Sequence, residues 1–181
     1  VNHVKDSSSH NEYANLTLLA KNQSGYKNLI KLISKSQILG KTTGIPVVES
    51  EWLLEHSEGL IALSGGFRGH VGKAILDANH DLFLKRIKYF QKIFEEDFVL
   101  EISRINRPQE DLYNDYILSK AGELGLPVIA SNEVRFINKE DFEAHETRVC
   151  IQNGEVLSDS KRKRNYYEDQ YFLSPEEMYE K

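Results

Sequence analysis

The sequence has few of the residues that mark secreted, fibrous or membrane proteins. Among its 181 residues are one Cys, one Met, one Trp and four Pro. The single Cys150 cannot form an internal disulfide, and its place at the end of a helical pattern predicts a buried, unreactive side chain. No apolar run approaches the roughly 20 residues of a membrane span, and residues 1–10 lack the apolar core of a signal peptide. These absences predict a cytoplasmic protein without a membrane segment.

An excess of basic charge is also absent. The chain carries 23 Lys and Arg against 28 Asp and Glu, a formal net charge of −5. The chain as a whole therefore offers no electrostatic attraction to DNA, which would have to be held by a local patch or by other parts of a larger protein. The basic cluster at residues 161–164 favours a solvated loop, with a phosphate or partner contact as the alternative.

The residues that are present predict an α/β fold. A content of 40% hydrophobic and 28% charged residues suits one globular domain with a sizeable core. Short apolar runs alternate with amphipathic stretches, which is typical of helices around a parallel sheet. Strands are predicted at residues 13–20, 60–64, 98–102 and 126–130. Helices are predicted at residues 25–36, 49–55, 70–76, 81–94, 108–118 and 138–151, and from residue 175 after the Ser174 N-cap.

For the first predicted helix, the sequence also predicts an N-cap and a buried face. Ser24 is the expected N-cap. The apolar residues of the helix are expected on its buried side, namely Tyr26, Leu29, Ile30, Leu32 and Ile33.

Four separated segments carry a family resemblance. They read NLTLLAKN at 15–22, GLIALSGG at 59–66, ASNEVRF at 130–136 and EAHE at 143–146. In this order they resemble the polymerase-and-histidinol-phosphatase (PHP) domain of bacterial replicative DNA polymerase III alpha subunits. The resemblance covers nearly the whole chain. It implies part of a distorted, TIM-like (β/α) barrel whose N-terminal units are missing.

The resemblance also implies a metal site that has lost its ligands. Metal-binding members of the family supply His, Cys, Asp and His at positions where this chain has Asn15, Gly66, Glu133 and Arg135. Gly has no side chain, neutral Asn is a weak ligand and Arg is a permanent cation that repels a metal. Only Glu133 could still coordinate, so no metal ligand set and no catalytic residue is expected. Arg135 is expected to occupy the vacated space near Glu133 or Glu101.

Three further polar residues have alternative explanations. Glu101 lies in an apolar strand, and a buried carboxylate is costly without a partner. It is either a ligand-like remnant at the barrel mouth or, as we favour, the partner of Arg104, Arg107 or Arg135. Asp141 and His145 have the i,i+4 spacing of a helical ligand pair, but a structural role is favoured for them.

The implied function belongs to a longer protein. We expect residues 1–173 to be a partial PHP domain and residues 174–181 to begin the helix that leads into the rest of the polymerase. The implied role is a non-catalytic scaffold and docking site for the proofreading exonuclease subunit within the polymerase III holoenzyme. DNA and Mg²⁺ would be bound by the parent polymerase, with no cofactor in this part. The alternative is a metal-dependent phosphoesterase or 3′–5′ exonuclease.

Overall fold

The computed structural model describes residues 4–5, 13–40 and 44–181. They form two compact units. The first comprises the chain up to Ile102 together with Asp111–Ile129, and the second comprises Ser103–Glu110 and Ala130–Lys181. In chain order the elements are β1 (Val4–Lys5), β2 (Tyr13–Ala14), β3 (Thr17–Ala20), α1 (Gln23–Ile38), β4 (Val48–Glu49), α2 (Ser50–Glu55), β5 (Leu60–Leu63), α3 (His70–Leu76), α4 (His80–Phe94), β6 (Phe98–Ser103), α5 (Glu110–Leu124), β7 (Val128–Ser131), α6 (Phe142–Asn153) and α7 (Pro175–Glu180).

The strands form two sheets with mixed directions. A small sheet has the order β2-β1-β4, and the main sheet has the order β3-β5-β6-β7. Strands β5 and β6 are parallel, whereas β3 runs antiparallel to β5 with Thr17 opposite Leu63. The α/β class is confirmed, but the sheet is not purely parallel as the sequence predicted. The barrel and the proposed division at residue 173 stay predictions.

The core of the first unit is apolar. The buried strands β5 and β6 contribute Leu60, Ala62, Phe98 and Leu100, which helices α3, α4 and α5 cover. Phe90 of α4 stacks on Phe98, with ring centroids 5.4 Å apart. Continuous apolar strands are expected where helices cover the sheet, and this is the pattern that the sequence shows.

Helix α1 departs from its predicted orientation. Leu32 is fully buried and Leu29 partly buried, but Tyr26, Ile30 and Ile33 are exposed, so the prediction that all five lie on the buried side is wrong. The N-cap is also not Ser24. The side chain of Asn22 accepts a hydrogen bond from the Gly25 backbone N–H, which starts the helix at Gln23.

The other helix boundaries are closer to prediction. Ser174 and Glu177 form a capping box with Pro175 at the start of α7. Cys150 is buried as predicted. Helix α5 begins at Glu110 rather than Pro108, because Pro108 lies in a turn and Gln109 has a φ of 65°. In the part of the chain that the structure describes, no helix combines the length and apolarity needed to cross a bilayer.

Candidate functional site

Asn15 and Gly66, the two predicted degenerate ligand positions of the first unit, lie beside one tight turn. The backbone N–H of Asn15 donates to the Arg68 carbonyl at 3.1 Å. A Cβ on Gly65 would come within 2.1 Å of the Asn15 carbonyl oxygen, and the φ of Gly65 is 79°. Glycine is therefore required at Gly65 by both the backbone conformation and the close approach.

Gly66 faces Glu101 of strand β6. A Cβ built on Gly66 would have Glu101 as its nearest neighbour, at 3.8 Å from the carbonyl oxygen and 3.9 Å from Cγ. A side chain would thus have space, although the φ of 56° disfavours any residue but glycine. Asn15 and Glu101 therefore both lie beside this turn, and the loss of metal ligands at Asn15 and Gly66 stays a prediction.

The strand residue Glu101 is fixed through its backbone. Its N–H donates to the Ser64 hydroxyl at 3.0 Å, and its carbonyl accepts a hydrogen bond from the Tyr113 hydroxyl at 2.7 Å. Burial raises the pKa of the Tyr113 phenol, and the nearby Glu101 carboxylate raises it further. Tyr113 therefore keeps its proton and stays a hydrogen-bond donor. The side chain of Glu101 is half-buried. Its pairing with an arginine stays a prediction.

In the second unit a buried carboxylate shapes the loop that follows β6. Glu110 accepts hydrogen bonds from the Ser103 hydroxyl at 3.0 Å, the Ile105 N–H at 2.8 Å and the Arg107 N–H at 3.4 Å. Asn106 and Gln109 adopt positive φ values within the same loop. Glu110 thereby holds the loop in the conformation that presents Arg107.

Arg107 is the cation that faces Glu133. Its Nη2 lies 2.7 Å from Glu133 Oε1, and the side chains are only 5% and 22% exposed. The sequence predicted Arg135 for this role, whereas the contact in the structure is made by Arg107. Arg135 is exposed and places its guanidinium over the ring of Tyr166, 5.6 Å from the centroid. The carboxylate at the last potential ligand position is thus neutralised by an arginine from a different loop.

A buried glutamine fixes the segment around Glu133. Gln170 is fully buried, and its side-chain N–H donates to the Glu133 carbonyl at 3.0 Å while its side-chain oxygen accepts from the Tyr167 N–H at 2.9 Å. The Gln170 backbone carbonyl accepts from the Arg135 N–H at 2.8 Å. One amide side chain therefore holds two extended segments together. No periodic pattern in the sequence indicates this role of Gln170.

The aromatic and basic residues near Arg135 have structural contacts. His145 lies edge-on to Tyr166, with centroids 4.6 Å apart, and also contacts Phe136. Burial lowers the pKa of His145, and the nearby Arg148 and Arg135 lower it further. The Glu146 carboxylate acts in the opposite direction and raises it. Asp141 is engaged by the Asn138 N–H in a capping box. These contacts fit the structural role that was favoured for His145 and Asp141.

The basic cluster at residues 161–164 divides into two kinds of residue. Lys161, Lys163 and Arg164 are exposed, as a solvated loop requires. Arg162 instead turns inward and pairs with Glu146 at 2.6 Å, each side chain being 3% exposed. The hydrogen bond that Arg162 donates to the Glu146 carboxylate raises the pKa of the guanidinium. This pair attaches the loop to α6.

The described residues do not fit a metal centre. Within them, no group of three or more His, Cys, Asp and Glu side chains is arranged to hold an ion. His3 and His10, two of the six histidines, lie outside the described residues. The donor chemistry agrees, since Gly66 offers no donor, Asn15 a weak one and Arg135 a positive charge. Glu133, the remaining donor, already binds Arg107.

Comparison with known proteins shows the family to which this chain belongs. Residues 2–105, more than half of the chain, match the PHP domain, so the chain belongs to the PHP domain family. The most similar relatives include the DNA polymerase III subunit alpha of Vibrio cholerae, which is 47% identical over 169 residues, 93% of this chain and 15% of the relative. The same subunit of Haemophilus influenzae is 44% identical over 92% of this chain and 14% of the relative, and that of Escherichia coli K12 is 44% identical over 93% and 15%.

These relatives confirm the predicted resemblance to the PHP region of DNA polymerase III alpha subunits. The chain spans about 15% of the length of the relatives that it matches.

Proposed function

We propose that this chain is the PHP portion of a bacterial replicative DNA polymerase subunit and that it acts as a scaffold without phosphoesterase activity. The contact between Arg107 and Glu133, at 2.7 Å, carries the proposal. An arginine bound to a carboxylate repels a metal cation and also occupies the space where the cation would bind. The Asn, Gly and Arg residues at the other three positions support the same conclusion.

The polymerase reaction belongs to the longer subunit. Nucleotidyl transfer needs carboxylates that hold two metal ions about 4 Å apart, and the described residues contain no such group. In this proposal the parent subunit supplies the Mg²⁺ site and the DNA-binding channel. The 181-residue chain contributes a folded base for that machinery in the cytoplasm.

We further propose that this portion docks the separate proofreading exonuclease subunit of the polymerase III holoenzyme. The support is the resemblance to alpha subunits together with the loss of metal ligands, because a domain without its own chemistry would leave proofreading to a partner. Size-exclusion chromatography of the chain with the purified exonuclease subunit is expected to give a complex. If neither this chain nor the complete alpha subunit forms one, exonuclease docking is excluded.

An activity assay tests the absence of phosphoesterase chemistry. The purified chain is incubated with Mn²⁺, Zn²⁺ or Mg²⁺ and either a 3′-recessed DNA or a chromogenic phosphate ester, and no turnover is expected. The Glu133→Gln variant is the matched control, because it removes the only carboxylate among the four ligand positions. Metal-dependent turnover that follows the chain through two columns and falls in Glu133→Gln would establish the alternative, a metal-dependent phosphoesterase or exonuclease.

A further inference from the structure

The outer face of α1 carries an apolar stripe that the first unit leaves exposed. Tyr26, Ile30 and Ile33 are 53%, 46% and 47% exposed. Their i, i+4, i+7 spacing places them in one row along the helix, beside the buried row that includes Leu32. Rows with this spacing are the ones through which helices pack against each other.

The charges beside the stripe have one sign. Lys27 and Lys31 lie on its solvent flank, and α1 contains no Asp or Glu. Neither lysine forms an ion pair in the part of the chain that the structure describes, whereas Lys35, on another side of the helix, pairs with Glu55 at 2.6 Å. Because the whole chain has a net charge of −5, this positive flank is local. A partner should therefore carry an apolar row with acidic residues beside it.

The composition of the face limits which partner fits. A second copy of α1 would bring lysines against lysines, which is repulsive. A nucleic acid would be held by stacking on aromatic rings and by many phosphate contacts, whereas this face offers two branched aliphatic side chains, one Tyr and two unpaired Lys. An amphipathic helix fits both the row and the charges.

We infer that this face packs against an acidic amphipathic helix in the same polypeptide, outside these 181 residues. The inference rests on the proposed function, under which the chain is part of a longer subunit. The relatives are long enough to supply such a helix, because 169 aligned residues amount to 15% of the Vibrio cholerae subunit. A surface covered within one polypeptide needs no separate partner to keep its apolar residues out of water.

Photo-crosslinking in the complete subunit tests the inference. Ile30→p-benzoylphenylalanine places the reactive group on the stripe, and Leu118→p-benzoylphenylalanine on α5 is the control, because Leu118 is equally exposed at 45%. Mass spectrometry is expected to find Ile30 crosslinked to an acidic helical segment of the same polypeptide outside residues 1–181. Crosslinks only to a second copy, to DNA or to a separate protein, or no crosslink beyond the yield of the control, would overturn the inference.

A charge-reversal variant sharpens the result. Lys27→Glu together with Lys31→Glu should lower the crosslink yield at Ile30 by at least about threefold at low salt, as expected for two surface ion pairs. An unchanged yield would refute the acidic chemistry of the partner. Circular dichroism of the 181-residue variant checks that it folds. Polymerase activity of the same complete subunit is measured separately, so an active polymerase without the crosslink defeats only this inference, and a crosslinked subunit without polymerase activity defeats only the proposed function.

Discussion

The two compact units differ in what fills their interiors. The first is built on a cluster of buried apolar side chains from both strands and helices, including Leu60, Phe83 and Phe98. In the second, buried polar and charged side chains form much of the interior, namely Ser103, Arg107, Glu110, Glu146 and Gln170. Apolar packing tolerates small geometric changes, whereas a buried polar network requires every partner. The second unit should therefore be more sensitive to single substitutions of polar residues.

The largest effect is expected from Arg107→Ala, which leaves Glu133 without its cation. Removing one partner of a buried pair typically costs about 3 to 5 kcal/mol, and the partial exposure of Glu133 places this case near the lower end. Hydrogen exchange of peptides from residues 130–181 measures the loss, while fluorescence of Trp52, the single Trp, reports on the first unit. Arg104→Ala is the control, since Arg104 is exposed. Equal protection in the two variants would contradict the role of Arg107.

Gln170→Ala should follow with a smaller effect. It removes the side-chain hydrogen bonds to the Glu133 carbonyl and the Tyr167 N–H, at about 1 kcal/mol each. Urea unfolding monitored by hydrogen exchange in the second unit would show the loss, with the exposed Gln152→Ala as the matched change. A Gln170→Ala protein as stable as Gln152→Ala would show that the apolar contacts of the second unit suffice.

These two substitutions also mark where prediction from sequence reaches its limit. Helix α3 and strands β5 and β6 follow from local periodicity and from apolar runs, and their bounds agree with prediction within about a residue. The ion pair of Arg107 with Glu133 and the hydrogen bonds of Gln170 join residues 26 and 37 positions apart. No local pattern encodes such contacts, so the sequence did not indicate Arg107 as the partner of Glu133.

The errors within predicted elements have physical reasons. Periodicity identifies an apolar face on α1 but does not show which part of that face the described fold covers. The prediction therefore places Tyr26, Ile30 and Ile33 on the buried side. The start of α5 shifted because Glu110 binds the preceding loop and Gln109 takes a positive φ. The first error arises because contacts distant in sequence decide which residues are covered, and the second because a side-chain contact with the preceding loop overrides helix preference.

A third substitution tests the attachment of the basic loop. Glu146→Gln removes the charge that holds Arg162 against α6, and the loop should open more often. Limited proteolysis with trypsin should then cleave after residues 161–164 several times faster than in the unmodified chain. The neighbouring exposed Glu143→Gln is the control. Equal cleavage rates for the two variants would show that the ion pair does not restrain the loop.

The smallest effect concerns the pH dependence of stability. Burial lowers the pKa of His145 in the folded chain below 6.5, so its contribution to stability is present above about pH 6.5 and is lost as the pH falls through the folded value. His145→Phe keeps a ring against Tyr166 but cannot titrate. Its melting temperature should fall less between pH 7.5 and pH 5.5 than that of the unmodified chain. His56, whose pKa is also lowered, is present in both proteins and cancels in the comparison; parallel curves would contradict the assignment.

The central claim is that arginine has replaced metal at Glu133, and calorimetric titration of Zn²⁺ and Mn²⁺ tests it most directly. The 181-residue chain is titrated beside Glu133→Gln, which cannot coordinate through a carboxylate. No stoichiometric binding that depends on Glu133 is expected, so both proteins should give the same heat signal. One metal ion bound per chain, with affinity lost in Glu133→Gln, would show that Glu133 still serves as a ligand and that its contact with Arg107 gives way to a metal.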